Sequence, residues 1–269
     1  MANRPSTLMA VITLAVAGWI LSALAMALLW AWHRRLHNAG IVDVGWTALV
    51  ASLAILDARF GDGWGYRRAA VGFMMGSWGL RLAVYLLYDR VLNRPEDGRY
   101  AEMRREWGDE AARRFWWFFQ TQALAAVGFS LPALLASANA EQGFSLLELA
   151  AAGLWVVAFA GETAADRQLL HFKSNLANRG RTCRTGLWKL SRHPNYFFEW
   201  LIWMAFGLFA SGSPWGWVAL ACPAAMLYFL FTVTGIPRNE AQAVRSRGDE
   251  YRDYQRVTSV FVPWFPRSS

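Results

Sequence analysis

The chain has 269 residues, 55% of them hydrophobic and 15% aromatic, with only 17% charged and a mean hydropathy of +0.19. Soluble domains carry about 25% charged residues, so a single aqueous core is excluded, and so apolar a chain is not disordered either. Two cysteines supply neither a disulfide framework nor a four-cysteine zinc site, and the net charge of +8 rests on 25 Arg and 2 Lys whose placement decides its meaning.

A helix that crosses a bilayer needs about 20 mostly apolar residues. Seven segments meet or approach this: Thr7–Trp32, Ile41–Leu56, Ala69–Tyr88, Phe115–Ala136, Leu146–Asp166, Phe197–Ala210 and Pro214–Ile236. The second and sixth are short and abut polar groups. The first is too long for the apolar core of a signal peptide and follows only Arg4, so it reads as an uncleaved helix. The loops after the first, third and fifth segments, together with the C-terminal tail, hold 22 of the 27 Lys and Arg residues. The positive-inside rule then sets the N-terminus outside and the C-terminus in the cytoplasm. The predicted fold is all-α: one integral membrane domain over residues 1–269, a bundle of seven transmembrane helices. Charge that alternates with the loops reports topology and contact with lipid, not a nucleic-acid-binding face. It leaves the oligomeric state open.

Ionisable groups inside a bilayer cost about 2.5–3.5 kcal/mol on insertion scales, so they face partners or a wet cavity. Asp43 and Trp46 open the second span, Arg81 and Tyr85 share a face of the third at i, i+4 spacing, Glu162 and Asp166 close the fifth, and Glu199 starts the sixth. These groups either pair with one another or line one polar cavity open to the cytoplasm, and their place near the cytoplasmic ends favours the cavity. Asp43 has two readings, a helix-start residue paired with Arg81 or a buried carboxyl kept protonated as a hydrogen-bond donor. Gly61-Asp-Gly-Trp-Gly-Tyr66 is a turn, and His33 with His37 lacks a third ligand, so no metal site is predicted.

Chemistry is densest from Gly161 to Glu199. Arg192-His193-Pro194-Asn195-Tyr196 sets a cation, an imidazole, an amide and a phenol on one short arc at a helix start, where Pro194 fits the first turn. Cations beside a helix N-terminus suit a phosphate-bearing ligand. The same side chains also suit plain anchoring at lipid headgroups.

The run Gly186-Leu-Trp188-Lys-Leu-Ser-Arg192-His193-Pro194-Asn195-Tyr196-Phe-Phe-Glu199 resembles the signature of bacterial membrane proteins in the steroid 5-alpha-reductase-like group. The likeness extends from Asp43-Val-Gly-Trp46, through Trp78-Gly-Leu-Arg81-Leu, Glu96-Asp-Gly-Arg-Tyr100 and Ser130-Leu-Pro132, to Thr258-Ser-Val-Phe261-Val-Pro263. The C-terminal half is also similar to sterol delta-14 and delta-7 reductases, in Phe172-Lys173, the Arg-His-Pro-Asn-Tyr element, and Arg238-Asn239-Glu240 with Gly248, Tyr251 and Tyr254.

The resemblance implies a multi-pass reductase of a bacterial cell membrane that uses NADPH to reduce an activated C=C bond in a lipophilic, steroid- or isoprenoid-like substrate. It implies a cytoplasm-facing cofactor pocket built mainly from residues 146–269, with Arg81, Asp166, Lys173, Trp188, Arg192, His193, Asn195, Glu199, Arg238, Glu240 and Tyr251 around the cofactor. Lys173, Arg192 and Arg238 would take phosphates, Trp188 or Tyr251 would stack on adenine, and Asn195 would bind the carboxamide or a ribose. Hydride would reach the carbon beta to a carbonyl while a donor, Tyr85 or Asp43 with Tyr196 in reserve, stabilises the enolate. Two positions depart from the pattern. Asp43 and Trp78 stand where steroid 5-alpha-reductases place a Gln-Glu pair and a Tyr, and Phe198 replaces the usual Gly of Asn-Tyr-Phe-Gly-Glu, adding bulk beside Glu199. Isoprenylcysteine carboxyl methyltransferases share Arg192-His193-Pro194, Asn239-Glu240 and Tyr251/Tyr254, which would imply S-adenosylmethionine instead. A lipid-binding protein without catalysis is the third reading.

Overall fold

A computed structural model describes residues 7–92, 95–233 and 235–267, and among these the chain is helical, its only extended pairing an isolated parallel bridge between Ser191 and Ser259. In chain order the helices are α1 (Thr7–Leu36), α2 (Ile41–Phe60), α3 (Gly65–Leu86, prolonged by a π turn Leu87–Val91), α4 (Gly98–Trp107), α5 (Ala111–Ser137), α6 (Leu146–Ser174), α7 (Pro194–Ser211), α8 (Ala221–Tyr228), α9 (Ile236–Arg247) and α10 (Asp249–Val257). Among the described residues, six helical segments are long and apolar enough to cross a membrane: Leu8–Leu36, Ile41–Phe60, Gly65–Val91, Gly98–Ser137, Leu146–Ser174 and Gly216–Arg247. The predicted sixth span, Phe197–Ala210, lies in α7, which forms as a helix of 18 residues but is diluted by its Pro-Asn-Tyr start and by Glu199. The predicted last span, Pro214–Ile236, is not one helix. It enters as a 3₁₀ segment (Gly216–Leu220), passes through α8 with Pro223 in the first turn, and leaves as a π turn (Phe229–Val233). Helix α6 runs on past Asp166 to Ser174, so Lys173 rides its last turn instead of a loop.

The chain divides into two compact units, Met1–Ser145 with Phe209–Ala219, and Leu146–Leu208 with Leu220–Ser269. In the first, α2 and α3 approach at their small residues. A Cβ on Gly72 would stand 2.7 Å from the Ala58 methyl, and one on Gly79 would stand 2.6 Å from that of Ala51. Close backbone approach of this kind is how helices gain van der Waals contact inside lipid. His33 is buried between Phe115 and Phe119, with ring centroids 5.4 and 5.1 Å away, so it is an aromatic-core residue. Beyond the other end of α5, buried Arg67 donates to the carbonyls of Glu141 and Gly143 at 2.5 and 2.6 Å, tying the start of α3 to the loop after α5.

In the second unit, the turn Gly186–Lys189 is clamped from two sides. Leu187 N–H donates to Gln168 Oε1 at 2.9 Å, and the Trp188 indole N–H donates to the Ala165 carbonyl at 2.9 Å. Tyr254 of α10 donates to the carbonyls of Trp188 and Ser191. Further along α6, Phe198 of α7 lies against Gly161, where an added Cβ would come within 2.4 Å of the ring. The bulk that Phe198 brings is thus taken up by the missing side chain at position 161.

Candidate functional site

The second unit gathers most of the polar side chains singled out in the sequence around the start of α7. Ser191 prepares that start: its hydroxyl accepts from the His193 N–H at 3.1 Å and donates to the Phe261 carbonyl at 2.8 Å. Arg192 then reaches Glu240 of α9 with both arms of its guanidinium, Nε to Oε1 at 2.6 Å and Nη2 to Oε2 at 3.0 Å. Its Nη1 donates to the carbonyls of Gln255 and Thr258 at 2.9 and 2.7 Å. Glu240 collects three more partners: His193 Nε2 at 3.2 Å, the Tyr251 hydroxyl at 3.2 Å and the Gln255 amide at 2.7 Å. A two-armed arginine–carboxylate pair of this kind is among the stronger and more directional polar contacts. It fixes α7, α9 and α10 to one another. Burial, then the negative charge of Glu240, raises the Tyr251 phenol above its ordinary pKa, and burial likewise raises that of Tyr254.

Beside this hub stands a second, smaller arrangement. The Tyr196 ring stacks on His193, centroids 5.4 Å apart and planes within 7°. Its hydroxyl oxygen accepts from the Asn239 amide at 2.7 Å. One residue earlier, Asn195 donates to Asp166 Oδ1 of α6 at 3.3 Å. Glu199, a turn further into α7, is buried and accepts from the Trp203 indole at 2.9 Å. Lys173 and Arg238 lie exposed, at the end of α6 and in the first turn of α9.

Three expected roles change with this geometry. Arg192 commits four hydrogen bonds inside the protein, so it is a framework residue and offers no fork to a phosphate. Trp188 and Tyr251 are 8% and 4% exposed with their polar atoms engaged, and neither presents an open ring face on which adenine could stack. Asn239 and Gln255 complete the arrangement: in sequence Asn239 stands out only within the Arg238-Asn239-Glu240 likeness, and nothing distinguishes Gln255.

The first unit holds the remaining candidates. Asp43, in the first turn of α2, accepts from Arg90 at 2.5 Å, Arg99 at 3.1 Å and the Tyr100 hydroxyl at 2.7 Å. It is therefore paired with Arg90 and Arg99 instead of Arg81, and both its oxygens act as acceptors, so it is not the hydrogen-bond donor expected of a protonated carboxyl. Arg99 is further gripped by Asp97, and Glu96 holds Arg104 at 2.7 Å and the Ala39 N–H at 2.8 Å. Burial acts to raise the Glu96 and Asp97 carboxyls, but their hydrogen bonds from Arg104 and Arg99 outweigh it and leave both below their ordinary values. Arg81 and Tyr85 sit half-buried on α3.

Comparison with known proteins adds a family but no activity. The chain is 28% identical over 276 aligned residues to the uncharacterized protein C594.04c of Schizosaccharomyces pombe, an alignment covering 92% of this chain and 79% of that one. No solved structure matches. Residues 29–258 match the family model described as "Protein of unknown function (DUF1295)". A match over that much of its length makes this helical membrane protein, with its Arg192–Glu240 hub, a member of the DUF1295 family.

Proposed function

We propose that this protein is a membrane-embedded, NADPH-dependent reductase of an activated C=C bond in a lipophilic, steroid- or isoprenoid-like substrate. The observation that carries the reading is Tyr196. Its oxygen accepts from Asn239 and its ring is braced on His193, yet its own proton is committed to none of the described residues. A phenol held in that way is built to give up its proton. Asn239 stabilises the oxygen left behind, and the stack on His193 fixes the direction of transfer. Of the three donor candidates, Tyr196 therefore takes precedence over Tyr85 and Asp43.

The residues fit the cofactor in part. Lys173 and Arg238 are exposed cations at helix ends and would hold its phosphates, including the 2′-phosphate that separates NADPH from NADH. Asn195 would take the carboxamide or a ribose hydroxyl. Arg192, Glu240, Trp188 and Tyr251 would shape the wall behind these groups without touching phosphate. When bound, NADPH supplies hydride. The chain's own part is to hold the substrate carbonyl within reach of Tyr196 Oη and to deliver that proton. Membership of a family that includes steroid 5-alpha-reductase-like proteins supports the same reading. With α7 counted as a seventh span, the arginine-rich loops set the N-terminus outside and this site at the cytoplasmic face of the cell membrane.

The test is a thermal-shift panel on detergent-purified protein with NADPH, NADH, FAD and S-adenosylmethionine. A ligand at 100 times its Kd stabilises by about 2.7 kcal/mol, so NADPH gives a clear shift, weakened in Lys173→Ala and Arg238→Ala. Tyr196→Phe keeps that shift but loses turnover by roughly 10²–10⁴-fold, as removal of a general acid does. A shift with S-adenosylmethionine alone overturns the reductase in favour of a methyltransferase. No nucleotide shift, with Asn195→Ala indistinguishable from wild type, leaves a lipid-binding protein.

A further inference from the structure

The end of the chain exposes a run of large apolar side chains that the site does not use. Val262, Trp264 and Phe265 are 52%, 70% and 80% exposed. The preceding residue, Phe261, is buried, and its surroundings fix the depth of the run. Its ring packs on Phe231, at the end of the last apolar segment, with centroids 5.2 Å apart, and on Phe197 and Trp200 in the first turns of α7 at 5.6 and 6.0 Å. Phe261 is therefore level with the start of α7 and with the end of the last apolar segment.

Part of the backbone there is paired inside the protein: Pro263 and Pro266 have no N–H to satisfy, while Trp264 N–H donates to the Leu190 carbonyl and Arg267 N–H to the Val257 carbonyl, each at 2.9 Å. Two exposed cations, Lys189 and Arg267, flank the aromatic pair, and neither has an ion pair among the described residues. Aromatic rings with flanking cations form the pattern of a side chain set that anchors at a membrane surface.

We infer that residues 261–267 form an interfacial anchor whose partner is the lipid surface. Val262, Trp264 and Phe265 enter the headgroup region of the adjoining leaflet, and Lys189 with Arg267 meets its anionic headgroups. The anchor is tied to the site by backbone: Arg192 N–H donates to the Ser259 carbonyl at 2.8 Å, and Ser191 donates to that of Phe261. It stands whether or not the chain reduces anything.

The experiment uses the full-length chain in liposomes, with buried Cys183 and Cys222 replaced by Ala and a single cysteine introduced as Trp264→Cys, Phe265→Cys or, on the exposed face of α10, Arg252→Cys. Each is labelled with an environment-sensitive nitrobenzoxadiazole dye. At 264 and 265 the emission shifts to the blue and is quenched more by nitroxide at the lipid headgroup than at mid-chain, while at 252 it stays water-like and unquenched. Quenching at 264 and 265 is stronger with phosphatidylglycerol present than in phosphatidylcholine alone. Water-like, unquenched emission at both positions overturns the anchor. Stronger quenching from mid-chain overturns its interfacial depth, and equal quenching in the two lipids overturns the part given to Lys189 and Arg267.

Discussion

Each unit of this protein has a carboxylate ringed by donors, and the two rings differ in what they leave over. Asp43 draws on Arg90, Arg99 and Tyr100, and with Glu96, Asp97 and Arg104 around it three acids meet three arginines. That cluster is electrically closed and ties the start of α2 to the segment around α4. Glu240 draws on one arginine, one histidine and two neutral donors, Tyr251 and Gln255. Its hub stands next to Tyr196 and Asn239, which it braces through His193 without consuming the phenol's proton. An acid inside a membrane protein is thus no guide to chemistry by itself. The informative group is the donor that the network holds still and leaves uncommitted.

The contrast predicts unequal costs. The Arg192 and Glu240 side chains are 11% and 14% exposed, against 26%, 18% and 23% for Arg90, Arg99 and Asp43. Glu240→Ala leaves a nearly buried guanidinium without its partner and destabilises by about 3–5 kcal/mol, seen as a collapse of the detergent-solubilised melting temperature or of expression. Glu240→Gln, which keeps part of the hydrogen bonding, recovers some of it. Asp43→Asn costs less, roughly 1.5–3 kcal/mol for hydrogen bonds to a charged group, because Arg99 retains Asp97 and Arg90 is partly hydrated. Equal losses in the two variants would refute the distinction drawn between the clusters.

A third substitution probes the packing under the second hub. Gly161→Val drives a branched side chain into the Phe198 ring and destabilises by about 1–3 kcal/mol, the usual range for overpacking. If the two residues are complementary, Phe198→Ala rescues Gly161→Val in a double-mutant cycle measured by melting. Additive losses would mean that the ring yields easily and that position 161 does not receive it.

Much of this was legible in sequence, for reasons that also explain the gaps. Hydrophobic runs gave helix positions because a bilayer demands length and apolarity together, and Arg192 through Tyr196 opens α7 as Pro194 implied. The break in the last span was not legible, since the apolar run 216–233 reads alike whether its backbone is 3₁₀, α or π. Side-chain partners were the weakest inference. Asp43 finds Arg90 and Arg99, 47 and 56 residues away, and Arg192 finds Glu240 at a distance of 48. Such pairings depend on how helices cross, and periodicity along one helix carries no trace of them. The basic loops read as contacts with lipid for the same reason, since a cation looks alike in sequence whether it meets a phosphate or, as Arg104 meets Glu96, a carboxylate.

The smallest effect separates the clusters by pH. Glu96 and Asp97 have carboxyls held below their ordinary values of 4.5 and 3.8, net of an opposing effect of burial. Protons therefore bind the unfolded chain more readily than the folded one. The stability these groups contribute is fully present above the ordinary values and is lost as pH falls through the lowered ones. Tyr251 has the opposite sign: its pKa is raised above 10.0 by burial and then by Glu240, so its share is present below that value and is lost as pH climbs beyond it. Melting temperatures taken from about pH 6 down to about pH 3 fall less steeply in Glu96→Gln than in wild type, by an amount worth less than about 1 kcal/mol for a pair whose Arg104 side chain is 36% exposed. Tyr251→Phe flattens the alkaline limb. If Glu96→Gln altered the alkaline limb instead, the two clusters would share one titration, and treating them as independent frameworks would be wrong.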